Sequence, residues 1–306
     1  FPKLTPTNPY YVHFGDCIEH MAILPDACMD MSIFSPPFPS VYAYGSSDAD
    51  IGNSENFRGD ARLHLSFFFQ QLARIIKPGR VVICHVQQIP RMKRCGEVGL
   101  HDFRGLLIKL AERSGLVFEY DWIVTKNPQS QAIRTRSREL QFAGLESDRA
   151  KTRGTLCDYL LKFRAPGVNE TPINAEGQVS RNDWIRWAEG AWTDIIETDT
   201  LNTKEAKHED DVKHICPLQL EVIRRCVLLF SNPGEIVFSP FAGIGSEGFM
   251  ALGGNSPKTG HRINDPRRFY GCELKDTYFA TCARNLSRAV KMASSQDQKL
   301  LFAGAV

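Results

Sequence analysis

Short apolar runs alternate with helical patterns along most of this chain, and this alternation restricts the fold more than any other feature. The predicted strands cover residues 10–14, 29–34, 80–86, 116–126, 156–163, 235–238 and 269–273. Apolar residues at helical spacing lie at 18–24, 63–76, 103–113, 217–230 and 276–292, and no internal repeat is present. Strands separated by helices favour parallel pairing with helices on both faces of the sheet. We therefore predict a doubly wound, mostly parallel α/β sheet.

Charge and cysteine usage restrict the partners and the compartment. The 306 residues include 37 basic and 35 acidic side chains, so contact with a polyanion requires a local basic patch. Nine cysteines without any Cys-x-x-Cys pair indicate reduced thiols and no metal site. No apolar run reaches membrane-spanning length. The expectation is a cytoplasmic protein of bacterial or phage origin that has no membrane partner.

The sequence Ser35-Pro36-Pro37-Phe38 follows the buried run 29–34. Pro37 fixes its own φ and holds Pro36 extended, so no helix can begin there. One interpretation is an ordinary strand-ending turn, which the tetrapeptide alone favours. The other is a rigid corner of hydrogen-bond acceptors for a planar amino group.

A glycine-rich turn follows the strand 235–238. Gly243 and Gly245 lie between that strand and a helix, and Glu273 closes the next strand. Such a turn lets a nucleoside-bearing ligand approach the backbone, and an acid at the neighbouring strand end can accept both ribose hydroxyls. Phe241 and Glu247 make the turn crowded and acidic. This favours the cationic S-adenosylmethionine over NAD.

Together these motifs resemble the DNA amino-methyltransferases, which modify N4 of cytosine or N6 of adenine. The carrying residues are the Ser-Pro-Pro-Phe corner, Asn-Pro-Gly-Glu-x-Val-Phe-Ser-Pro-Phe-Ala-Gly-Ile-Gly-Ser and Phe-Tyr-Gly-Cys-Glu-Leu. The catalytic motif precedes the cofactor motif, as in the permuted β group, and prophage-type methylases are the most similar members. The resemblance covers residues about 8–164 and 212–290. It implies a Rossmann-like class I S-adenosylmethionine methyltransferase fold with one antiparallel strand, and DNA methylation of the restriction-modification kind.

The resemblance also assigns residues. It implies that Ser35, Pro36, Pro37 and Phe38 are catalytic, the first three through hydrogen-bond acceptors and Phe38 by stacking on a flipped base. It places the cofactor against Asp16, Cys17, His214, Pro217, Leu218, Gln219, Phe241, Gly243, Gly245, Ser246, Glu273 and Leu274. Asp16 could equally cap the helix that follows it. The chain departs from the family pattern at Ser239, where an Asp is usual, and at Glu247, where a Gly is usual; Glu247 is a substitute for the missing carboxylate.

The resemblance divides the chain into three parts. Residues 1–164 are predicted to form the catalytic half of the domain, 165–213 a small target-recognition insertion, and 214–306 the cofactor-binding half. Seven basic residues against three acidic ones lie in 126–153, which is either a DNA contact or a solvated loop. The expected DNA-binding residues are Tyr42, Tyr44, Arg134, Arg136 and Arg138. The three tryptophans 184, 187 and 192 favour core packing over base stacking.

Several functions compete at this point. Ser35 before the prolines favours N4-cytosine as the target over N6-adenine, and the absence of a Pro-Cys pair disfavours a C5-cytosine enzyme. Ser239 supports a catalytically silent DNA-binding subunit that retains the fold. RNA as substrate and an NAD oxidoreductase are more distant alternatives. A homodimer is compatible with the sequence, and a partner nuclease is not identified by it.

Overall fold

The computed structural model describes residues 2–38, 59–91, 99–135, 145, 149–151, 153–174, 176–202 and 217–303. Its strands are β1 (Tyr10–Phe14), β2 (Met29–Phe34), β3 (Ile76–Gln87), β4 (Ile89–Pro90), β5 (Leu100–His101), β6 (Val117–Val124), β7 (Asp158–Arg164), β8 (Ala191–Trp192), β9 (Ile236–Ser239) and β10 (Arg268–Glu273). Its α-helices are α1 (Cys17–Ile23), α2 (Asp60–Ile75), α3 (Phe103–Arg113), α4 (Pro128–Thr135), α5 (Arg181–Trp187), α6 (Leu220–Phe230), α7 (Ser246–Ala251) and α8 (Asp276–Ala303).

The main sheet has eight strands in the order β1-β10-β9-β2-β3-β7-β6-β8, and β4 and β5 form a separate antiparallel pair. Strands β1, β10, β9, β2 and β3 pair in parallel. Strand β7 is antiparallel to both neighbours, β3 and β6, whereas β8 is parallel to β6. In this sheet only β7 therefore runs against the others. The predicted fold class, with one antiparallel strand, is confirmed.

Apolar side chains form one cluster on each face of the sheet. Successive strand residues alternate between them, since Ile33 joins one cluster and Phe34 the other. The first cluster includes side chains of α6, α7 and α8, and the second includes side chains of α1, α2 and α3. All six residues of β2 are buried, as expected for a central parallel strand covered on both faces.

Several predicted boundaries agree with the structure, and among those that differ one has a clear physical reason. Helix α3 has the predicted bounds, and Asp102 caps it by accepting a hydrogen bond from the Gly105 N–H. The sequence Lys77-Pro78-Gly79 was expected to separate a helix from a strand, but it lies within β3. Pairing of β3 with β2 shifts register there, from Met29↔Ile76 to Met31↔Val81. An irregularity of this kind accommodates a proline that cannot donate to the ladder.

The tryptophans of the predicted insertion divide between core and surface. Trp187 and Trp192 are buried and belong to the same cluster as α6, whereas Trp184 is 60% exposed. The Trp187 carbonyl accepts hydrogen bonds from the indole N–H groups of Trp122 and Trp192, both at 3.1 Å. Core packing is therefore confirmed for Trp187 and Trp192 and wrong for Trp184. The domain boundaries at 164 and 213 remain a prediction.

In the part of the chain that the structure describes, no helix is both long and apolar enough to cross a membrane.

Candidate functional site

The candidate site lies where the chain changes direction across the sheet. From β9 the chain crosses through α7 to β10, whereas from β2 it crosses through α2 to β3 on the opposite side. The two crossovers diverge between β9 and β2, which pair through Met31↔Val237 and Ser32↔Phe238. The crevice beyond the carboxyl ends of strands at such a switch point is the usual ligand site in α/β sheets.

The Ser-Pro-Pro-Phe corner leaves the end of β2 at this crevice. Phe34, the last residue of β2, is fully buried. The Ser35 hydroxyl lies 3.2 Å from His85 Nδ1, a hydrogen-bonding distance. The half-buried Phe38 ring packs against Phe103 at the start of α3, with ring centroids 5.6 Å apart. Contacts with His85 and Phe103 thus hold the corner at both of its ends.

Phe241 joins the corner to the glycine-rich turn. Its ring centroid lies 5.9 Å from that of Phe34 and 4.9 Å from that of Phe68. Closer to the sheet, the Ser32 hydroxyl donates to the Phe238 carbonyl at 3.1 Å. The two motifs are about two hundred residues apart in sequence, yet they share one aromatic contact in the fold.

The glycine-rich turn has a backbone that only glycine adopts easily. Gly243 and Gly245 have φ of 54° and 87°, in the left-handed region. A Cβ on Gly245 would lie 2.8 Å from the Cys282 sulfur, so helix α8 also requires glycine there. The Glu273 carboxylate accepts hydrogen bonds from the N–H groups of Gly243 at 2.7 Å and Lys275 at 2.9 Å. Glu273 therefore fixes the backbone of the turn.

Asp16 and Cys17 lie at the end of the neighbouring strand. Phe14 pairs with Glu273, and the Gly15 N–H donates to the Glu273 carbonyl at 3.0 Å. Asp16 caps α1, since its Oδ1 accepts from the N–H groups of Ile18 and Glu19. The capping alternative for Asp16 is thus confirmed, and a cofactor role in addition remains a prediction. Burial raises the pKa of the Cys17 thiol well above its usual value, so this side chain is an uncharged packing group.

Two buried hydroxyl groups lie beside the turn. Within the described residues, the hydroxyl oxygens of Ser239 and Ser246 accept and donate no hydrogen bond. Glu247 is 5% exposed, and burial raises the pKa of its carboxyl to about 8, with a further contribution from the charge of Glu273. Orphaned buried polar groups normally have a partner in the working molecule. Their position fits a polar, cationic ligand at this turn.

The remaining predicted cofactor residues are more scattered. Leu218 and Gln219 are buried just before α6, and Gln219 Oε1 has no hydrogen-bond partner within the described residues. Pro217 is half-buried beside them, and Leu274 directly follows Glu273. His214 lies outside the described residues.

Most predicted DNA contacts cannot be placed. Tyr42, Tyr44, Arg136 and Arg138 lie outside the described residues, and Arg134 lies in the last turn of α4. Lys126 was counted in the basic segment, but its side chain is only 4% exposed and forms an ion pair with Asp158. That lysine is therefore not available to phosphates.

Sequence reasoning missed three polar residues that lie behind the corner. His85, Asp158 and Lys126 come from three different strands or strand ends; His85 contacts Ser35 and Asp158, and Asp158 contacts Lys126. In the described part of the chain, no group of three or more His, Cys, Asp or Glu residues could hold a metal ion. His85 is a polar residue near the end of a buried strand, next to the corner. This position is the signal that could have identified it.

Comparison with known proteins identifies the family and supports the fold. The sequence profile of the N6/N4 DNA methylase family matches residues 29–284. Among proteins with curated descriptions, none matches in sequence. A structure of TTHA0409 from Thermus thermophilus, a provisionally named DNA modification methylase crystallised with S-adenosyl-L-methionine, is 20% identical with a TM-score of 0.65. The similarity covers 92% of this chain and 94% of that one.

The PvuII DNA methyltransferase, described as cytosine-N4-specific, has a similar fold as well. It is 14% identical with a TM-score of 0.63, over 90% of this chain and 86% of that chain. At these levels of identity the two likenesses support the fold.

Proposed function

Because the chain belongs to the N6/N4 DNA methylase family, we propose that it transfers a methyl group to N4 of cytosine in DNA. S-adenosylmethionine is the methyl donor of this family, so the predicted cofactor is confirmed together with the amino-methyltransferase class. N6 of adenine is the second candidate target, since the family includes both. Ser35 at the first position of the corner supports cytosine.

One observation carries the proposal. The corner and the glycine-rich turn meet at the switch point of the sheet, where the rings of Phe34 and Phe241 lie 5.9 Å apart. The corner, which would accept hydrogen bonds from the target amine, and the turn, which would bind the methyl donor, must be neighbours. Direct transfer depends on the positioning of the two reactants.

The corner can activate an amine without any covalent intermediate. An exocyclic amine conjugated with its ring is a poor nucleophile. Acceptors that draw its hydrogens out of the ring plane make its lone pair available, and the Ser35 hydroxyl and a carbonyl of Pro36 or Pro37 are suited to this. Phe38, supported by Phe103, offers a ring for the base to stack on. The base must leave the duplex to reach this crevice.

The turn and its neighbours provide the groups that would hold the cofactor. Glu273 can accept the ribose hydroxyls, and Asp16 and Cys17 border the same strand edge. Bound S-adenosylmethionine supplies an activated methyl group on a sulfonium. Glu247 is the carboxyl available for its ammonium, because Ser239 replaces the usual Asp.

DNA would approach along the loops at this edge. We place Arg134, Arg136 and Arg138 on its phosphates, and Tyr42 and Tyr44 beside the flipped base. Reversing the three arginines to Glu should weaken DNA binding and reduce its dependence on salt, because each phosphate contact releases counterions. Unchanged affinity and salt slope would show that the basic segment is only a solvated loop.

The test is mass spectrometry of nucleosides from DNA of cells that express the chain. N4-methylcytosine supports the proposal, and N6-methyladenine supports the second target. The unpartnered Ser239 also favours a third candidate, a silent DNA-binding subunit. That candidate requires neither product together with no binding of S-adenosylmethionine in isothermal titration. Binding without a DNA product would point to RNA.

A further inference from the structure

Behind the corner, His85 connects the Ser35 hydroxyl to a buried carboxylate. Its Nδ1 lies 3.2 Å from Ser35 Oγ, and its Nε2 lies 2.9 Å from Asp158 Oδ2. The side chain of His85 is 12% exposed and that of Asp158 is 7% exposed. Nε2 lies close to this carboxylate, but the contact does not have hydrogen-bond geometry.

The carboxylate is held from two further directions. Lys126 Nζ lies 2.5 Å from Asp158 Oδ2, and Gln87 Nε2 donates to Oδ1 at 3.1 Å. Burial alone would raise the pKa of Asp158, but His85 and Lys126 hold it below its usual value. Asp158 is therefore charged at neutral pH.

Sheet register brings these groups together. Asp158 is the first residue of β7 and pairs with Gln87 on one side and Val124 on the other. Because β7 is antiparallel, its first residue lies at the edge where β2 and β3 end. Three chain segments thus place His85, Asp158 and Lys126 directly behind Ser35.

We propose that His85, supported by Asp158 and Lys126, orients the Ser35 hydroxyl and accepts the proton that the methylated amine must lose. This rests on the proposed methyl transfer. With its Nδ1 unprotonated, His85 accepts the Ser35 hydrogen, so both lone pairs of the hydroxyl oxygen face the substrate. His85 is a positioning residue, since it acts through Ser35.

The proton balance follows from the transfer. The N–CH₃ bond forms as the S–CH₃ bond breaks, its electron pair stays on sulfur, and the positive charge moves to the base nitrogen. That nitrogen gives a proton to Ser35 Oγ while the Ser35 hydroxyl proton passes to His85 Nδ1. The resulting imidazolium lies beside Asp158 and later releases the proton to solvent.

Protonation of His85 before the reaction has the opposite effect. A proton on Nδ1 makes His85 a donor to Ser35 Oγ, which removes one acceptor site from the amine. Transfer should therefore slow at acid pH. In the described structure, His85 contacts the charged Asp158 of β7 and the uncharged Ser35. Asp158 in turn contacts the charged Lys126, which follows β6, and the uncharged Gln87.

The experiment is single-turnover methyl transfer to DNA as a function of pH. We expect His85→Gln to be at least about tenfold slower and to lose the acid limb of the profile. Asp158→Asn should move that limb to lower pH, since the imidazolium loses its anion, and Lys126→Met should move it to higher pH. His261→Gln removes a histidine paired with Glu221 elsewhere and should leave the profile unchanged.

Binding of S-adenosylmethionine, measured by isothermal titration, should be the same in all four variants. An acid limb that persists in His85→Gln, or an unmoved limb in Lys126→Met, would overturn the inference. Lys126→Met decides the matter if the other two variants do not fold, because it leaves the corner and its histidine intact. A wild-type protein without any transfer would instead refute the proposed function.

Discussion

At the end of β2, short contacts link Ser35 to His85, His85 to Asp158 and Asp158 to Lys126, although His85 Nε2 makes no hydrogen bond; at the end of β9 the hydroxyls of Ser239 and Ser246 have no partner within the described residues. The two groups lie at adjacent strand ends. An unsatisfied buried polar group costs about 1–3 kcal/mol. The corner is therefore organised by the protein itself, while the turn keeps polar atoms that a ligand must satisfy. The corner is thus preorganised, whereas the glycine-rich turn is completed by the ligand that it binds.

The largest effect on methyl transfer should come from substitutions in the corner. Ser35→Ala removes the hydroxyl acceptor and should lower single-turnover transfer by about 100-fold or more, with binding of S-adenosylmethionine unchanged. Phe38→Ala should also lower single-turnover transfer, since it removes the ring on which the flipped base is proposed to stack. The exposed Ser294, whose hydroxyl donates to Val290 on α8, provides the control variant Ser294→Ala. Full activity of Ser35→Ala would remove the corner from catalysis.

The next effect should come from the group that fixes the turn. Glu273→Ala removes the proposed acceptor of the ribose hydroxyls and the hydrogen bond from the Gly243 N–H. Charge-assisted hydrogen bonds contribute about 1.5–3 kcal/mol, which corresponds to affinity about 10- to 100-fold weaker for S-adenosylmethionine. Isothermal titration measures it, with the exposed Asp276→Asn as the matched control. An unchanged affinity would exclude Glu273 from the ribose role.

A smaller effect concerns the contribution of Glu247, beside the glycine-rich turn, to the stability of the fold. The pKa of Glu247 is about 8 in the fold against 4.5 as its ordinary value. The unfolded chain loses this proton first, so the stability due to the neutral form is fully present below 4.5 and is lost as pH rises towards 8. The slope is at most about 1.4 kcal/mol per pH unit. Thermal unfolding of Glu247→Gln should lack it, and parallel pH curves for variant and wild type would contradict the burial of a neutral acid.

The smallest effect is a proton released on binding. If Glu247 meets the cofactor ammonium, binding at pH 7 should expel most of one proton, since its pKa of about 8 keeps it largely neutral beforehand. Titration heats in buffers of different ionisation enthalpy measure this release. Glu247→Gln should abolish it. Equal release in wild type and variant would assign the proton to another group.

The two halves also differ in how far the sequence predicts them. Gly243, Gly245 and Glu273 were found from the sequence because a strand end and a glycine turn are local features with fixed spacing. The corner was visible for the same reason, as was the alternation that predicts the parallel sheet. The contacts of Asp158 with His85 and Lys126 were not visible, because they depend on the register of β7 against both β3 and β6. No local pattern around 158 indicates which strand it joins.

The ion pair between Lys126 and Asp158 has a consequence for how such a chain can vary. The two residues flank the whole segment 127–157 and are joined at its base. An insertion, deletion or rewritten sequence within that segment leaves both ends anchored at the same place. If the segment contacts DNA as proposed, its sequence can therefore change while the ion pair and the groups behind Ser35 are retained.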